Sequence, residues 1–300
     1  MGERSKGQKQ SVRLQKLLAA QAKPTATDAG EVNALVIGLG PGLCTVDIGG
    51  ALHHVRCGIP VVPGDEVSVL NGSVCGIAPR RTVLVRTDPV NARRERVIVA
   101  NVDRMVIVAA IANPPLRTGL IDRYMIAAAR GGIAPVLCIN KLDLSTDFAD
   151  LPATPVYEIP IVHCSAKTGQ GIDQLRDMLA GSIAVLVGHS GVGKSSLLNA
   201  LTQQDQARVG SVNEDTGKGR HTTTASRLYH LRNGARIIDT PGIREFGLGP
   251  VTVEELKAAF PEFKVAGCRF SDCTHKDEPD CTIREAGGPR YQAWLRLLEL

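Results

Sequence analysis

The segment from residue 188 to residue 195 has the spacing G-x-x-x-x-G-K-S of a phosphate-binding loop. It follows an apolar run at 183–187 and precedes a predicted helix. Glycines let backbone N–H groups point at phosphate oxygens, and the helix start adds its positive end. By itself such a loop leaves ATP and GTP open. The predicted phosphate-binding residues are Gly188, His189, Ser190, Gly191, Val192, Gly193, Lys194, Ser195 and Ser196.

Two earlier segments are predicted to select the base of the nucleotide. Each of them follows its own strand-like run. Asn140-Lys-Leu-Asp143 follows 135–139, and Ser165-Ala-Lys167 follows 160–164. A carboxylate at Asp143 accepts hydrogen bonds from the N1–H and the amine of guanine, a donor pair that adenine lacks. Asn140 would hold the base or a neighbouring loop, and the Lys141 stem would cover the ring. We predict GTP and GDP as ligands, contacted by Asn140, Lys141, Asp143, Ser165, Ala166 and Lys167.

Magnesium ligands are predicted on both sides of the phosphates. The Ser195 hydroxyl would bind Mg²⁺ directly, and Asp239, which opens an Asp-Thr-Pro-Gly segment, would hold it through water. A third hydroxyl is expected from Thr222, Thr223 or Thr224, and we choose Thr223. The sequence therefore predicts one Mg²⁺ that is bound together with GTP.

Three residues are candidates for the hydrolysis step. We expect Lys194 to contact the β- and γ-phosphates and the Gly242 N–H to sense the γ-phosphate. Ile243 stands where many small GTPases have a glutamine that orients the attacking water, so unaided hydrolysis should be slow. His221 is the nearest candidate to replace that glutamine, although a structural role for this histidine stays open.

A second kind of chemistry is indicated near the C-terminus. Cys268, Cys273, His275 and Cys281 place four soft ligands within a short stretch. Cys₃His is a common set for a structural, tetrahedral Zn²⁺, and four protein ligands leave no open position for catalysis. The other five cysteines are scattered through apolar sequence, as is typical of reduced core thiols in an intracellular protein. We predict one structural zinc ion.

The elements that must position these residues form three units behind a basic arm. Residues 1–33 are polar and basic, and 34–96 contain short strands (34–38, 43–48, 52–56, 66–70 and 83–86) that suit an OB-like β-barrel, with an SH3-like barrel as the alternative. Residues 97–247 alternate strands and helices, which predicts six strands in a doubly wound α/β sheet. Residues 248–300 are predicted to be a helical zinc-binding domain.

Charge and composition narrow the function classes. The net charge is +5, and residues 1–100 account for all of it with 13 Lys/Arg against 8 Asp/Glu. Such an excess suggests a polyanionic partner such as nucleic acid, and a solvated tail without a partner is the alternative. No run of about 18 apolar residues occurs, so we expect no membrane association and a cytoplasmic location. No heptad pattern suggests a dimer, and we expect a monomer.

The order of the motifs is rotated relative to ordinary small GTPases, because the base-reading segments precede the phosphate loop. Together with Gly219-Arg-His-Thr-Thr-Thr224, Asp239-Thr-Pro-Gly242 and the Cys/His cluster, it resembles the circularly permuted ribosome small-subunit-dependent GTPase A family of bacteria. The resemblance covers roughly residues 34–295. It implies an N-terminal OB domain, a permuted P-loop GTPase domain and a C-terminal zinc domain. It also implies binding to the small (30S) ribosomal subunit late in maturation, with subunit-stimulated GTP hydrolysis, and a catalytic role for His221.

One feature of the chain modifies that implied function. Residues 1–123 contain no Phe, Trp or Tyr, so the barrel lacks the aromatic side chains on which single-stranded bases stack. We expect it to contact folded 16S rRNA through phosphates and shape, or to contact ribosomal proteins. Two other functions compete: a GTPase that regulates a membrane or metabolic partner, and an RNA-binding module whose nucleotide site is only structural.

Overall fold

The computed structural model describes residues 31–87, 95–144, 157–207, 227–239, 248, 251–263 and 267–299. Within these ranges the chain forms a closed barrel, a two-stranded ribbon, a six-stranded sheet with helices on both faces, and a helical C-terminal part. The predicted arm lies almost wholly outside the described residues. So do five of the residues predicted to act at the site, namely His221, Thr222, Thr223, Thr224 and Gly242.

The barrel comprises five short strands: β1 (Ala34–Gly40), β2 (Leu43–Ile48), β3 (Ala51–Arg56), β4 (Glu66–Leu70) and β5 (Ser73–Ile77). They close in the order β1-β2-β3-β5-β4, with β1 antiparallel to β4. Valines fill the interior, among them Val36, Val46 and Val67, which are fully buried. A closed five-stranded barrel of this kind confirms the OB-like prediction.

One predicted barrel strand was wrong. Val83–Thr87 (β6) lies outside the barrel and pairs antiparallel with β7 (Glu95–Ala100), a strand that the sequence analysis missed. The true fifth barrel strand is β5, which was also missed because Ser73 and Gly76 weaken its apolar pattern. A signal for it was present: Asn71-Gly72 has φ values of 50° and 70°, as the two-residue turn of a hairpin requires.

The six-stranded sheet confirms the predicted doubly wound fold. Its strands are β8 (Arg104–Ala110), β9 (Ala134–Asn140), β10 (Ile161–His163), β11 (Ile183–Val187), β12 (Arg227–His230) and β13 (Arg236–Asp239). The order is β10-β9-β8-β11-β13-β12, and only β12 runs antiparallel to its neighbour. Helix α1 (Thr118–Gly131) packs on one face, and α2 (Ile172–Met178) and α3 (Lys194–Ala207) pack on the other.

The ribbon of β6 and β7 joins the barrel to the sheet domain. The Ala100 N–H at the end of β7 donates to the Pro63 carbonyl at 2.9 Å, and just before the ribbon the buried Arg80 donates two hydrogen bonds of 2.7 Å to the buried Asp65, which precedes β4. On the other side the ribbon meets the end of α1 so closely that a Cβ on Gly131 would lie 1.9 Å from the Val83 carbonyl oxygen. The ribbon spans the boundary that we predicted between residues 96 and 97, and the four domain boundaries stay predictions.

The C-terminal part packs against α1 through α4 (Val253–Ala259), α5 (Thr282–Ala286) and α6 (Gly288–Leu298). Helix α4 begins with a capping box between Thr252 and Glu255. The single tryptophan, Trp294 of α6, is fully buried and contacts Phe260 edge-on at 5.4 Å between ring centroids. Among the described residues, no helix is both long and apolar enough to cross a lipid bilayer.

Candidate functional site: a nucleotide pocket and a metal centre

The segments predicted to bind nucleotide all follow the carboxyl ends of strands in the six-stranded sheet. Strand β9 ends at Asn140, β10 leads into Ser165, β11 leads into Gly188, and β13 ends at Asp239. Because these four strands run parallel, the segments meet at one edge of the sheet, which is where such sheets bind ligands. The structure thus brings together segments that are up to about a hundred residues apart.

Asn140 connects the two halves of this pocket. Its side chain is 1% exposed, and its amide nitrogen donates to the Val192 carbonyl in the phosphate loop at 3.0 Å. Its amide oxygen accepts from the Ala166 backbone N–H at 3.0 Å. A Cβ on Gly193 would lie 2.4 Å from the same amide, so only glycine leaves room for this bridge. Of the two roles considered for Asn140, its contacts are those of a residue that holds neighbouring loops.

The neighbours of Asp143 favour its ionised form, which is a hydrogen-bond acceptor. The Ser165 hydroxyl donates to its Oδ1 at 2.6 Å, and the Lys167 ammonium lies 3.7 Å from its Oδ2. The hydrogen bond from Ser165 lowers the pKa of Asp143, and the charge of Lys167 lowers it further. The side chain is therefore a carboxylate at neutral pH and can accept from two N–H donors of a guanine base. Lys141 donates to the Asn113 carbonyl from the other side of the loop.

The phosphate loop has the backbone conformation that its glycines allow. Gly188 has φ +144°, and a Cβ there would lie 2.2 Å from the Val108 carbonyl oxygen. Lys194 begins α3 and donates to the carbonyls of Gly188 and His189 at 2.7 and 2.8 Å, so its ammonium closes over the loop. The N–H groups at the start of α3 and this ammonium are the donors that a phosphate chain requires.

Lys194, Ser195 and Asp239 line a common cavity at the end of β11 and β13. A serine hydroxyl and an aspartate carboxylate are oxygen ligands of the kind that Mg²⁺ prefers, so the donor set fits a magnesium ion that is shared with phosphates. When bound, such an ion would neutralise charge on the phosphate chain. Thr223, the predicted third ligand, lies outside the described residues.

The four predicted zinc ligands meet in the C-terminal part. The Sγ atoms of Cys268, Cys273 and Cys281 and a ring nitrogen of His275 all lie within 4.8 Å of one another. His275 Nδ1 is 3.5 Å from both Cys268 Sγ and Cys281 Sγ. Three soft sulfur atoms and one imidazole at this mutual distance fit a closed tetrahedral Zn²⁺ site.

The pKa values of the cluster side chains also favour the binding of a cation. Burial lowers the pKa of His275, which keeps its imidazole neutral and able to bind metal. Burial opposes ionisation of Cys268, but hydrogen bonds from Thr282 and Ile283 outweigh it and lower the pKa of that thiol. Burial raises the pKa of Cys273 to about 12, so this thiolate requires a neighbouring positive charge.

Two residues that support the cluster were missed by the sequence analysis. Glu278 accepts from the Thr274 backbone N–H and hydroxyl at 2.7 Å each and from the Lys276 N–H at 3.1 Å. Trp294 donates its indole N–H to the Thr274 carbonyl at 2.8 Å and packs against the His275 ring. An acidic residue between two ligands and the only tryptophan of the chain were the available signals.

We expect Glu278→Ala to weaken zinc binding roughly 10–100-fold, as is typical when a supporting residue around a metal site is lost. The backbone turn at 274–276 would lose three hydrogen bonds and hold His275 less firmly. Competition with a chromophoric chelator measures the affinity, and Glu285→Ala, an exposed acid on α5, is the matched control. Equal zinc affinity in both variants would contradict a supporting role for Glu278.

The fold and the site define the class of the protein. The segments predicted to bind guanine follow β9 and β10, and they precede the phosphate loop after β11 in the chain but adjoin it in space, as in a circularly permuted P-loop GTPase. A search of solved structures agrees. The crystal structure of YjeQ from Thermotoga maritima superposes with a TM-score of 0.69 at 30% identity, over 89% of this chain and 97% of that one. YloQ, described as a circularly permuted GTPase, shares the fold with a TM-score of 0.65 at 24% identity, over 91% and 96% of the two chains.

The family follows from sequence comparison. The family model for RsgA GTPase matches residues 77–249. The small ribosomal subunit biogenesis GTPase RsgA of Pseudomonas aeruginosa is 43% identical over 247 residues, which cover 78% of this chain and 72% of that protein. RsgA 1 of Vibrio vulnificus, with the same description, is 41% identical over 271 residues, or 82% and 76% of the two chains. The chain belongs to the RsgA GTPase family and is a GTP hydrolase.

Proposed function

We propose that this chain binds the small ribosomal subunit late in its maturation and hydrolyses GTP to GDP and phosphate there, with hydrolysis stimulated by the subunit. The names of its relatives support the subunit as partner. The main structural support for GTP binding is the pair of hydrogen bonds made by Asn140, which hold the phosphate loop and the Ser165 loop in one pocket. The protein would act in the cytoplasm, as a monomer.

The proposed roles of the site residues follow their positions. Asp143 accepts from guanine, the Ala166 segment borders the guanine oxygen, and the loop from Gly188 to Ser196 surrounds the phosphates. Ser195, Asp239 and Thr223 hold Mg²⁺ with the nucleotide. Lys194 and the Gly242 N–H stabilise charge on the γ-phosphate during hydrolysis, and His221 orders the attacking water. Zinc at the Cys/His cluster has a structural role only.

The barrel is proposed to contact 16S rRNA and ribosomal proteins without base stacking. In the described part of the barrel several leucines are exposed, among them Leu39, Leu43 and Leu52, and no aromatic ring accompanies them. Apolar aliphatic side chains suit protein or sugar surfaces, while the basic charge of the first hundred residues suits phosphates. Subunit binding should accordingly weaken as salt rises.

Co-sedimentation tests the proposal directly. The full chain is centrifuged with purified small subunits in the presence of a non-hydrolysable GTP analogue or of GDP. We expect more protein to sediment with the subunit in the analogue, because γ-phosphate contacts would order the segments around Thr223 and Gly242 and so favour one orientation of the protein on the subunit. Large subunits serve as the control particle. Equal partition with both nucleotides and both particles would contradict the proposal.

We expect His221→Ala to remove most of the subunit-stimulated GTP turnover and to leave the slow intrinsic rate nearly unchanged. An ordered imidazole would replace the water-orienting glutamine that Ile243 cannot supply. Multiple-turnover phosphate release with and without small subunits measures both rates. The variant should still sediment with subunits in the GTP analogue, which separates catalysis from binding. A fully stimulated rate in the variant would remove His221 from the mechanism.

A further inference from the structure

Helix α1 carries three buried polar side chains, of which two contact the C-terminal part and one contacts the phosphate loop. Asp122, Tyr124 and Arg130 are 1%, 3% and 5% exposed. Burial of a charged or hydroxyl group is costly unless it is paired, so such residues mark contacts that the fold maintains. None of the three belongs to the predicted nucleotide motifs. Their burial is explained by the partners that each of them contacts.

The N-terminal half of α1 contacts the C-terminal part through Asp122. Its Oδ1 accepts from Arg290 of α6 and, at 3.1 Å, from the Tyr157 hydroxyl. Arg290 is itself enclosed, since its Nε donates to Glu262 at 2.7 Å and its guanidinium lies 3.8 Å from the centroid of the Phe260 ring. This arginine has few alternative positions, so it fixes where α6 lies relative to α1.

The end of α1 is attached to the same part of the protein through Arg130. Its guanidinium forms two hydrogen bonds of 2.9 Å with the carboxylate of Glu255 on α4. Glu255 also accepts from the Thr252 N–H at 3.0 Å, so the ion pair includes the third residue of α4, which completes its capping box. Glu95 of the ribbon lies 3.3 Å from the same guanidinium. Three parts of the fold therefore meet at Arg130.

Tyr124 reaches the nucleotide site from the same helix. The Gly188 backbone N–H, at the first residue of the phosphate loop, faces the Tyr124 hydroxyl oxygen, and this contact opposes the rise in the pKa of Tyr124 that burial causes. The ring lines a cavity together with Gly188, His189 and Val192. Gly188 is also constrained from behind, because the Val108 carbonyl leaves no space for a side chain. A displacement of Tyr124 would thus move or release the start of the loop.

We propose that Tyr124 is a positioning residue for the phosphate loop, and that α1 links its position to the pose of the C-terminal part through the Asp122–Arg290 contact. Only one residue separates Asp122 from Tyr124, and both stand on one rigid helical turn. The inference rests on the proposed nucleotide site. It adds a path by which the contacts between α1 and the C-terminal part influence the affinity for nucleotide. Coupling of this kind is a free energy that acts equally in both directions.

A double-mutant cycle on nucleotide affinity tests this path. Dissociation constants for GTP and GDP are measured for the full-length wild type, Tyr124→Phe, Arg290→Gln and the double variant. We expect each single change to weaken binding roughly 3–10-fold, and the double variant to fall at least about 3-fold short of the product of the two effects. Tyr124→Phe removes one hydroxyl and keeps the ring in its cavity.

Arg269→Gln is the matched control, because Arg269 is an arginine of the same C-terminal part with a side chain that is 65% exposed. It should leave affinity unchanged and show no coupling to Tyr124→Phe. Denaturant unfolding of every variant separates a loss of stability from a loss of affinity, and Arg290→Lys replaces Arg290→Gln if that variant does not fold.

Strictly multiplicative effects of Tyr124→Phe and the Arg290 change would overturn the inference while the GTPase assignment stands. Failure of the wild type to bind GTP would overturn both.

Discussion

Asp143→Asn is expected to reduce GTP affinity by roughly 10²–10⁴-fold and to create affinity for xanthosine triphosphate. The Asp143 carboxylate is held by a hydrogen bond from the Ser165 hydroxyl, and it would accept from the N1–H and amine donors of a bound guanine. An asparagine presents an N–H donor in the same place, so one donor faces another with guanine. Xanthine carries a carbonyl oxygen where guanine carries its amine, and that oxygen accepts from the new donor.

Titration calorimetry with GTP, GDP, ATP and xanthosine triphosphate measures this change of preference. Asp173→Asn is the control, because Asp173 is an exposed aspartate on α2 that pairs with Arg176 and belongs to none of the predicted nucleotide segments. It should bind as the wild type does. Undiminished selectivity for GTP in Asp143→Asn, or equal affinity of the wild type for ATP and GTP, would contradict the guanine site that the strand ends assemble.

Removal of zinc is expected to unfold the C-terminal part. Cys273→Ser should lose the ion, because a neutral hydroxyl replaces one of the three thiolate ligands at this buried position. Structural zinc sites contribute on the order of 10 kcal/mol of apparent binding free energy at neutral pH, most of which appears as folding free energy. His275 and Trp294 would lose their packing, and with them the hydrogen bond to Thr274.

Metal analysis and amide hydrogen exchange check this outcome together. We expect less than one zinc per chain and loss of exchange protection in α5 and α6, while the barrel keeps its protection. Cys75→Ser is the control, because Cys75 is a partly buried barrel thiol that donates to the Ser68 carbonyl and is remote in sequence from the cluster. Stoichiometric zinc in Cys273→Ser would show that Cys273 is not a ligand.

Strand prediction succeeded where apolar runs are continuous and failed where they are diluted. The sheet strands are buried on both faces, so β8 and β11 read as uninterrupted apolar segments. In the barrel, by contrast, β5 alternates half-buried positions with the buried Val74 and Gly76. The run at 83–87 is as apolar as a barrel strand, but its partner is β7, and pairing between strands is a tertiary choice.

By itself, the sequence predicted the chemistry: which residues would bind guanine, which would surround phosphates and which would gather as soft metal ligands, because those tasks require particular residue types at short spacing. It also determined the rotated order of the motifs. Only the tertiary structure decided which residues connect these sites. Asn140 bridges two loops, and the partners of Arg130 lie 35 residues before it and 125 residues after it. Such contacts leave no local pattern, because buried polar pairing depends on which surfaces the folded chain brings together.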